Sequence, residues 1–295
     1  MASAKKSLAK ASLRNYPLWF TLPLGIIFIV LFVLPTITSF YYAMQRWTLF
    51  DTTWIGFDNY ALFFKDPFLL GGVIHTFIYA FLTSGLKVVI GMFFGVVLMS
   101  NIKLRGLLRN IVFFPVLVST IGVGLTFQEL LKPNVGILDQ ALQVFGIPAA
   151  GLLGDVNTAL YAVIAVDVWK GVGLATVIYI AGMAAIPSEY YEAAKMDGVS
   201  AIQNFRHIIL PLLRPATNTV IVLSLIGGLR SFDLIWSMTG GGPGFASDVL
   251  ASLIYKKYQA GFYGLSTAGN VIMFGLILIL IVPLNRYLSK REVEI

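Results

Sequence analysis

Five charged side chains stand inside long apolar runs of this 295-residue chain: Lys87, Asp167, Lys170, Arg230 and Asp233. A charge at bilayer depth is costly and is retained for pairing or for contact with a polar solute. Asp167 and Lys170, and again Arg230 and Asp233, are three residues apart, a spacing that lets acid and base meet on one helical face. Lys87 has no sequence neighbour of opposite sign, so its expected partner is Asp167 or Asp233 on another helix. Neutralisation within the protein and direct contact with a solute both remain open. The neighbouring segments are "WKGVGL" (Trp169 to Leu174) and "SLIGGLRSFDLIW" (Ser224 to Trp236). Glycines at this depth let helices pack closely, or unwind to line a cavity.

A second polar concentration is "EAAKMDGVSAIQNFRHIILP", from Glu192 to Pro211. Ile186-Pro187-Ser188-Glu189 reads as a helix start with Ser188 as cap and an acid in the first turn. Tyr190, Ala193, Ala194 and Asp197 follow at helical spacing, and Gly198 permits the left-handed backbone that ends a helix. A second run, Ala201 to Ile209, carries Ile202, Phe205 and Ile209 on one face, with Pro211 just ahead of the next apolar stretch. Two short helices set at an angle suit docking into a partner's groove. An amphipathic loop lying on lipid headgroups is the alternative.

The elements that must hold these residues follow from composition. Hydrophobic residues make up 58% of the chain and charged ones 12%, against about a quarter charged in soluble domains; mean hydropathy is +0.84. Apolar runs near the roughly 20 residues that cross a bilayer occur at Leu18 to about Tyr42, Val73–Ser100, Ile111–Gln128, Thr158–Ala185, Ala216–Thr239 and Gly264–Asn285. The expectation is an all-α membrane protein with six transmembrane helices over residues 18–288, between a basic tail at 1–17 and a short tail at 289–295. The first run is too long for the apolar core of a signal peptide and lacks a small-x-small cleavage site, so it reads as a retained span.

The net charge of +7 is a topology signal rather than a sign of nucleic acid. Lys5, Lys6, Lys10 and Arg14 fall on one side with Lys103, Arg105, Arg109, Lys195, Arg206, Arg214, Arg286, Lys290 and Arg291. Arg46, Lys65, Lys132, Lys256 and Lys257 fall on the other. Positive residues favour the cytoplasmic side, which puts both termini and the Glu192–Pro211 segment there. There is no cysteine, so disulfides and thiolate metal sites are excluded. His75 and His207 are too far apart in sequence to suggest a metal cluster.

The polar segment also fits a spaced pattern: Glu192-Ala193-Ala194, Gly198, and Ile208-Ile209-Leu210-Pro211. This resembles the EAA loop of binding-protein-dependent ABC importer permeases. "WIGFDNYALFFKDP", "LRGLLRNIVFFPVLVS" and "FDLIWSMTGGGP" are similar to the carbohydrate branch, the maltose-type first permease family, in its compact six-span form. Two departures are the lack of that permease's extra N-terminal spans and outer domain, and Val199 where alanine is commoner.

The resemblance implies a type I importer permease fold whose cytoplasmic coupling helices (187–211) dock on an ATPase. Glu192 would contact that ATPase, Ala193 and Ala194 would permit close approach, and Gly198 would form the bend. Asp197, Ile208, Leu210 and Pro211 complete the coupling segment. Substrate contacts would come from spans four and five: Lys170, Gly171 and Leu174, with Ser224, Gly227, Gly228, Arg230, Ser231 and Asp233. Sugars favour aromatic faces beside polar groups, and these spans supply both.

The implied assembly holds a second homologous permease, two ATPases that bind ATP and Mg, an extracytoplasmic solute-binding protein and a sugar, in a bacterial cytoplasmic membrane. No cofactor is expected in this chain itself. A permease for another solute, such as a glycerol phosphodiester, is an alternative; a stand-alone secondary transporter is a further one, although no repeated halves are evident. Enzyme activity is not expected, since no GxxxxGK[ST], HExxH or GxSxG motif occurs.

Overall fold

The computed structural model describes residues 18–100, 102–147 and 151–290. Most of the two terminal tails expected from the sequence lies outside these residues. In chain order the elements are α1 (Trp19–Tyr42), a hairpin of β1 (Gln45–Trp47) and β2 (Thr52–Trp54), α2 (Asp58–Lys65), α3 (Pro67–Met99), α4 (Arg105–Leu117), α5 (Thr120–Leu130) and α6 (Ile137–Val144). There follow α7 (Ala159–Ala184), α8 (Ser188–Met196), α9 (Ala201–Leu212), α10 (Arg214–Leu229), α11 (Asp233–Thr239), α12 (Leu250–Gln259) and α13 (Tyr263–Ser289). The strands pair antiparallel, with Gln45 opposite Trp54.

The apolar runs fold as helices because lipid offers no partners for free backbone groups. Among the described residues four helices, α1, α3, α7 and α13, are long and apolar enough to cross a membrane. The count reaches six when two bent pairs, α4 with α5 (96°) and α9 with α10 (65°), each count as one crossing. The third span is therefore not the straight helix expected over Ile111–Gln128. Pro115 lies inside α4 and supplies no N–H to the carbonyl one turn back. The helix ends at Leu117 and Val118 turns extended. The fifth span is likewise broken, since α10 stops at Leu229 and α11 restarts at Asp233.

The core is built on α3, which packs against α7, α10 and α12. Without a hydrophobic drive between helices in lipid, close approach depends on small side chains. Gly91 of α3 lies on Ala175 of α7, and Gly182 of α7 faces Ala216 of α10. Polar groups of α3 are met by neighbours: Thr76 Oγ1 accepts from the Leu250 amide at 2.8 Å, and the Ser84 and Ser224 hydroxyls are 2.8 Å apart. By contrast, no residue of α1 is buried. That helix packs at the rim of the bundle, mainly against α13 and the hairpin that follows it.

Candidate functional site

The ionisable residues do not pair as their spacing suggests. Lys87 on α3 donates to Asp167 Oδ2 on α7 at 2.6 Å, with side-chain exposures of 12% and 21%. No ion pair joins Asp167 to Lys170 or Arg230 to Asp233 among the described residues. The reasons are local. Asp167 is already held by Lys87, and the break in the fifth span leaves Arg230 just past the end of α10 and Asp233 at the start of α11. The cross-helix partner expected for Lys87 is thus present, while the two intrahelical pairs are not.

Lys87 and Asp167 sit on the wall of a cavity of about 190 Å³ between α3, α7 and α10. Four of the residues singled out in the sequence line it: Gly171, Leu174, Ser224 and Gly227. Lys170, Arg230, Ser231 and Asp233 do not, and Gly228 faces the other way. A Cβ at Gly228 would lie 2.7 Å from Ala80 Cα, whereas one at Gly227 would meet nothing within 4 Å. Adjacent glycines thus serve different surfaces, one a helix contact and one an open wall.

The sequence reading missed a polar stripe along α3 that reaches the cavity at Lys87. Thr76, Tyr79, Thr83 and Lys87 recur at three- and four-residue steps, a helical period that marks one polar stripe on an otherwise apolar span. Tyr79 is wholly buried. Its hydroxyl lies near Asp167 and Ser231 but makes no well-formed hydrogen bond.

The α8–α9 segment forms two short helices with a sharp turn. Gly198 has φ +68°, a conformation that β-carbon sterics make costly for other residues. Ser188, expected as the cap, is instead the first helical residue; Pro187 holds the capping position and provides no side-chain acceptor. The second helix does have a full capping box, with Ser200 Oγ accepting from the Gln203 amide and Gln203 Oε1 from the Ser200 amide. Glu192, Ala193, Asp197 and Leu210 are exposed, Ile208 and Pro211 are half-buried, and Ala194 is buried. On either side of the turn, Met196 is 88% exposed and Ile202 80%.

The "TGGGP" stretch that closes the fifth span has a structural cause. Gly241, at φ +89°, packs directly against the carboxylate of Asp248. That buried carboxylate accepts from Lys256 Nζ at 2.6 Å and Ser252 Oγ at 2.7 Å. A side chain at position 241 would displace the carboxylate, so the loop is glycine by necessity.

With this geometry in view, comparison with known proteins is informative. A family described as the binding-protein-dependent transport system inner membrane component matches residues 87–293. The chain belongs to that family. This permease is 32% identical over 259 residues to the trehalose/maltose transport system permease protein of Thermococcus litoralis, covering 87% of this chain and 88% of the relative. It is 29% identical over 266 residues to the multiple sugar-binding transport system permease protein of Streptococcus mutans, covering 89% and 91%. Its fold matches a chain in the crystal structure of a bacterial ABC transporter involved in import of the acidic polysaccharide alginate. There the TM-score is 0.80 at 22% identity, over 96% of this chain and 99% of the other. The type I importer permease fold is therefore established, and the chain is a transport component of an inner membrane rather than an enzyme.

Proposed function

We propose that this permease forms half of the translocation pathway of an ATP-driven importer for a sugar or oligosaccharide. The observation that carries the reading is the cavity at membrane depth lined by Gly171, Leu174, Ser224 and Gly227 beside the Lys87–Asp167 pair. It offers hydroxyl, backbone and charged groups on an otherwise apolar wall. Its volume of about 190 Å³ is below the roughly 300–1,000 Å³ of ordinary ligand pockets. Such a half-site is consistent with a pathway completed by a second, homologous permease. The sugar systems named for two of its relatives support the substrate class. Lys170, Arg230, Ser231 and Asp233, near the same broken span, would meet the solute in another state of the transporter, and Gly228 would hold the wall in place.

The α8–α9 pair is the coupling element in this reading. Met196 and Ile202 form an apolar tip without a cover in this chain, flanked by the exposed Glu192 and Asp197. Such a tip fits a hydrophobic groove, here on an ATPase that holds ATP and Mg. Two ATPases, a second permease and an extracytoplasmic solute-binding protein complete the assembly. The basic residues near the ends of α3, α7 and α13 favour a cytoplasmic location for this face and for both termini. Closure of the ATPases would push α8 and α9 and, through α10, change access to the cavity.

Purification of the tagged chain from its membrane, followed by reconstitution with its co-purifying proteins, tests the substrate class. ATP-dependent accumulation of a labelled oligosaccharide is expected; accumulation of a glycerol phosphodiester alone would overturn the sugar reading. Gly198→Asp tests the coupling role separately. The variant should insert and assemble while ATP hydrolysis no longer drives uptake, and undiminished uptake would remove α8–α9 from the mechanism.

A further inference from the structure

A cavity of about 540 Å³ lies far from the translocation site, at the end of the bundle opposite α8 and α9. It is enclosed by the hairpin after α1, by α2, and by the facing ends of α12 and α13. Leu62, Phe262 and Leu265 supply apolar lining, and Arg46 and Lys65 supply charge. Asp66 and Lys257 also line it, but they neutralise each other at 2.7 Å. Burial alone would raise the Asp66 pKa. The Lys257 ammonium and the Phe68 and Leu69 amides outweigh burial and hold it below its ordinary value. Lys257 is therefore already matched. Arg46 and Lys65 have no acidic partner among the described residues, so the cavity carries an excess of positive charge.

The surroundings identify the medium at its mouth. Leu49, Phe50, Trp54, Phe57, Phe64 and Phe68, in the segments that build this cavity and lead into α3, are all exposed, Phe50 at 96%. So large an apolar display is unfavourable in water and marks a surface made for a partner or for lipid. A ring of aromatics runs beside it, with Tyr42 on Trp47 at 4.8 Å, Trp47 on Tyr263 at 5.3 Å and Tyr258 on Tyr263 at 5.1 Å. Tyrosine and tryptophan collect at the depth of lipid headgroups. The face is continuous with α1, none of whose residues is buried.

We propose that this cavity binds an anionic glycerophospholipid, its phosphate between Arg46 and Lys65 and its first acyl carbons along Leu62, Phe262 and Leu265. The orientation proposed above makes this a lipid of the outer leaflet. Nothing else in the inference depends on the transported solute. A lipid seated here would bridge the hairpin after α1 to α2 and α13, adding to the contacts those elements already make.

The test uses the assembled transporter, purified in mild detergent and exchanged into mixed phosphatidylglycerol and phosphatidylcholine, with retained lipid counted by native mass spectrometry. Wild type should retain phosphatidylglycerol selectively. Arg46→Gln with Lys65→Gln should reduce that retention by roughly tenfold or more, since each cation near an anionic headgroup contributes about 1 kcal/mol. Lys132→Gln, an exposed cation outside the cavity, should leave it unchanged. Equal retention of both lipids, or no loss in the double variant, would overturn the site. So would release of the bound species by millimolar inorganic phosphate, which would mean a phosphate site without an acyl contribution. A double variant with normal lipid retention and weakened affinity for the solute-binding protein would instead assign the face to protein docking and also overturn the proposal. Failure of sugar transport would leave every arm of this test readable.

Discussion

The bundle interior around α3 and the α8–α9 pair treat their side chains in opposite ways. Inside the bundle, Lys87 is matched with Asp167, Thr76 with the Leu250 amide and Ser84 with Ser224, and the Tyr79 hydroxyl is an exception. In the α8–α9 pair, apolar groups are left unmatched, with Met196 and Ile202 almost wholly exposed. The first region directs its chemistry inward. The second, on the coupling role proposed above, is half of an interface. A substitution in the first should therefore register in the stability of this chain, and one in the second should register only when the partner is present.

The largest effect is expected at the ion pair. Removing either member, as in Lys87→Met or Asp167→Asn, strands the other at membrane depth, and breaking a buried pair costs about 3–5 kcal/mol. The double change Lys87→Met with Asp167→Leu removes both charges and should recover most of that loss. Thermal unfolding of the purified chain measures it. Recovery of stability without recovery of uptake would show that the pair also serves the solute. A single variant as stable as wild type would break the contrast between the two regions.

Next come the adjacent glycines. Gly228→Leu drives a side chain into the Ala80 backbone, and such overpacking costs about 1–3 kcal/mol or more. Gly227→Leu enters open space beside the cavity and should leave folding intact while uptake falls. Size-exclusion profiles and uptake together separate the two. Reversal of the pattern would mean that the wall and the packing face are exchanged. Sequence alone could not make this distinction. "GG" at membrane depth announces close approach or an opening, but which glycine does which depends on rotation about α10.

Much else was legible, and for identifiable reasons. The apolar lengths gave the spans, and the rigid spacing from Glu192 to Pro211 carried the family. The left-handed backbone at Gly198 could be read from residue type, since few residues tolerate it. The breaks at Val118 and at Arg230–Phe232 were not read, because hydropathy continues through both while the helix does not. That error propagated: a straight fifth span suggested an Arg230–Asp233 pair that the break separates. The Thr76–Tyr79–Thr83–Lys87 stripe was readable from its period and was overlooked, since hydropathy averaged over a span conceals one polar face.

A smaller effect on the chain itself is expected from Met196→Ser with Ile202→Ser. Neither side chain has a core to leave, and surface substitutions usually fall within about 0.5 kcal/mol. Thermal unfolding of the isolated permease should be unchanged, or slightly improved in solubility. Affinity for the ATPase should fall, by about tenfold if the two together contribute as much as one buried side chain, 1.5–3 kcal/mol. A titration of ATPase onto detergent-solubilised permease reads this directly. Lost stability with unaltered affinity would place these residues in the fold rather than in the interface.

The finest test concerns how the exposed pair keeps its shape without a core. Ile209 packs near α7, but the turn itself from Gly198 to Gln203 is held by local bonds. Ser200 Oγ accepts from the Gln203 amide at 3.3 Å, and Gln203 Oε1 accepts from the Ser200 amide at 2.9 Å. Ser200→Ala removes one of these bonds and should cost about 1 kcal/mol of local helix stability. Hydrogen exchange at the amides of residues 201–205 should then accelerate by about fivefold, the equivalent of that free energy. The melting temperature of the bundle should not move, because the bundle interior does not depend on this turn. Ser200→Asp retains an acceptor at the cap and should restore slow exchange. If exchange in Ser200→Ala stays slow, contacts with the bundle must be holding the pair. Its stiffness would then come from the same inward packing as the interior, and the division between a self-contained region and an outward-facing one would narrow to the two apolar residues at the tip.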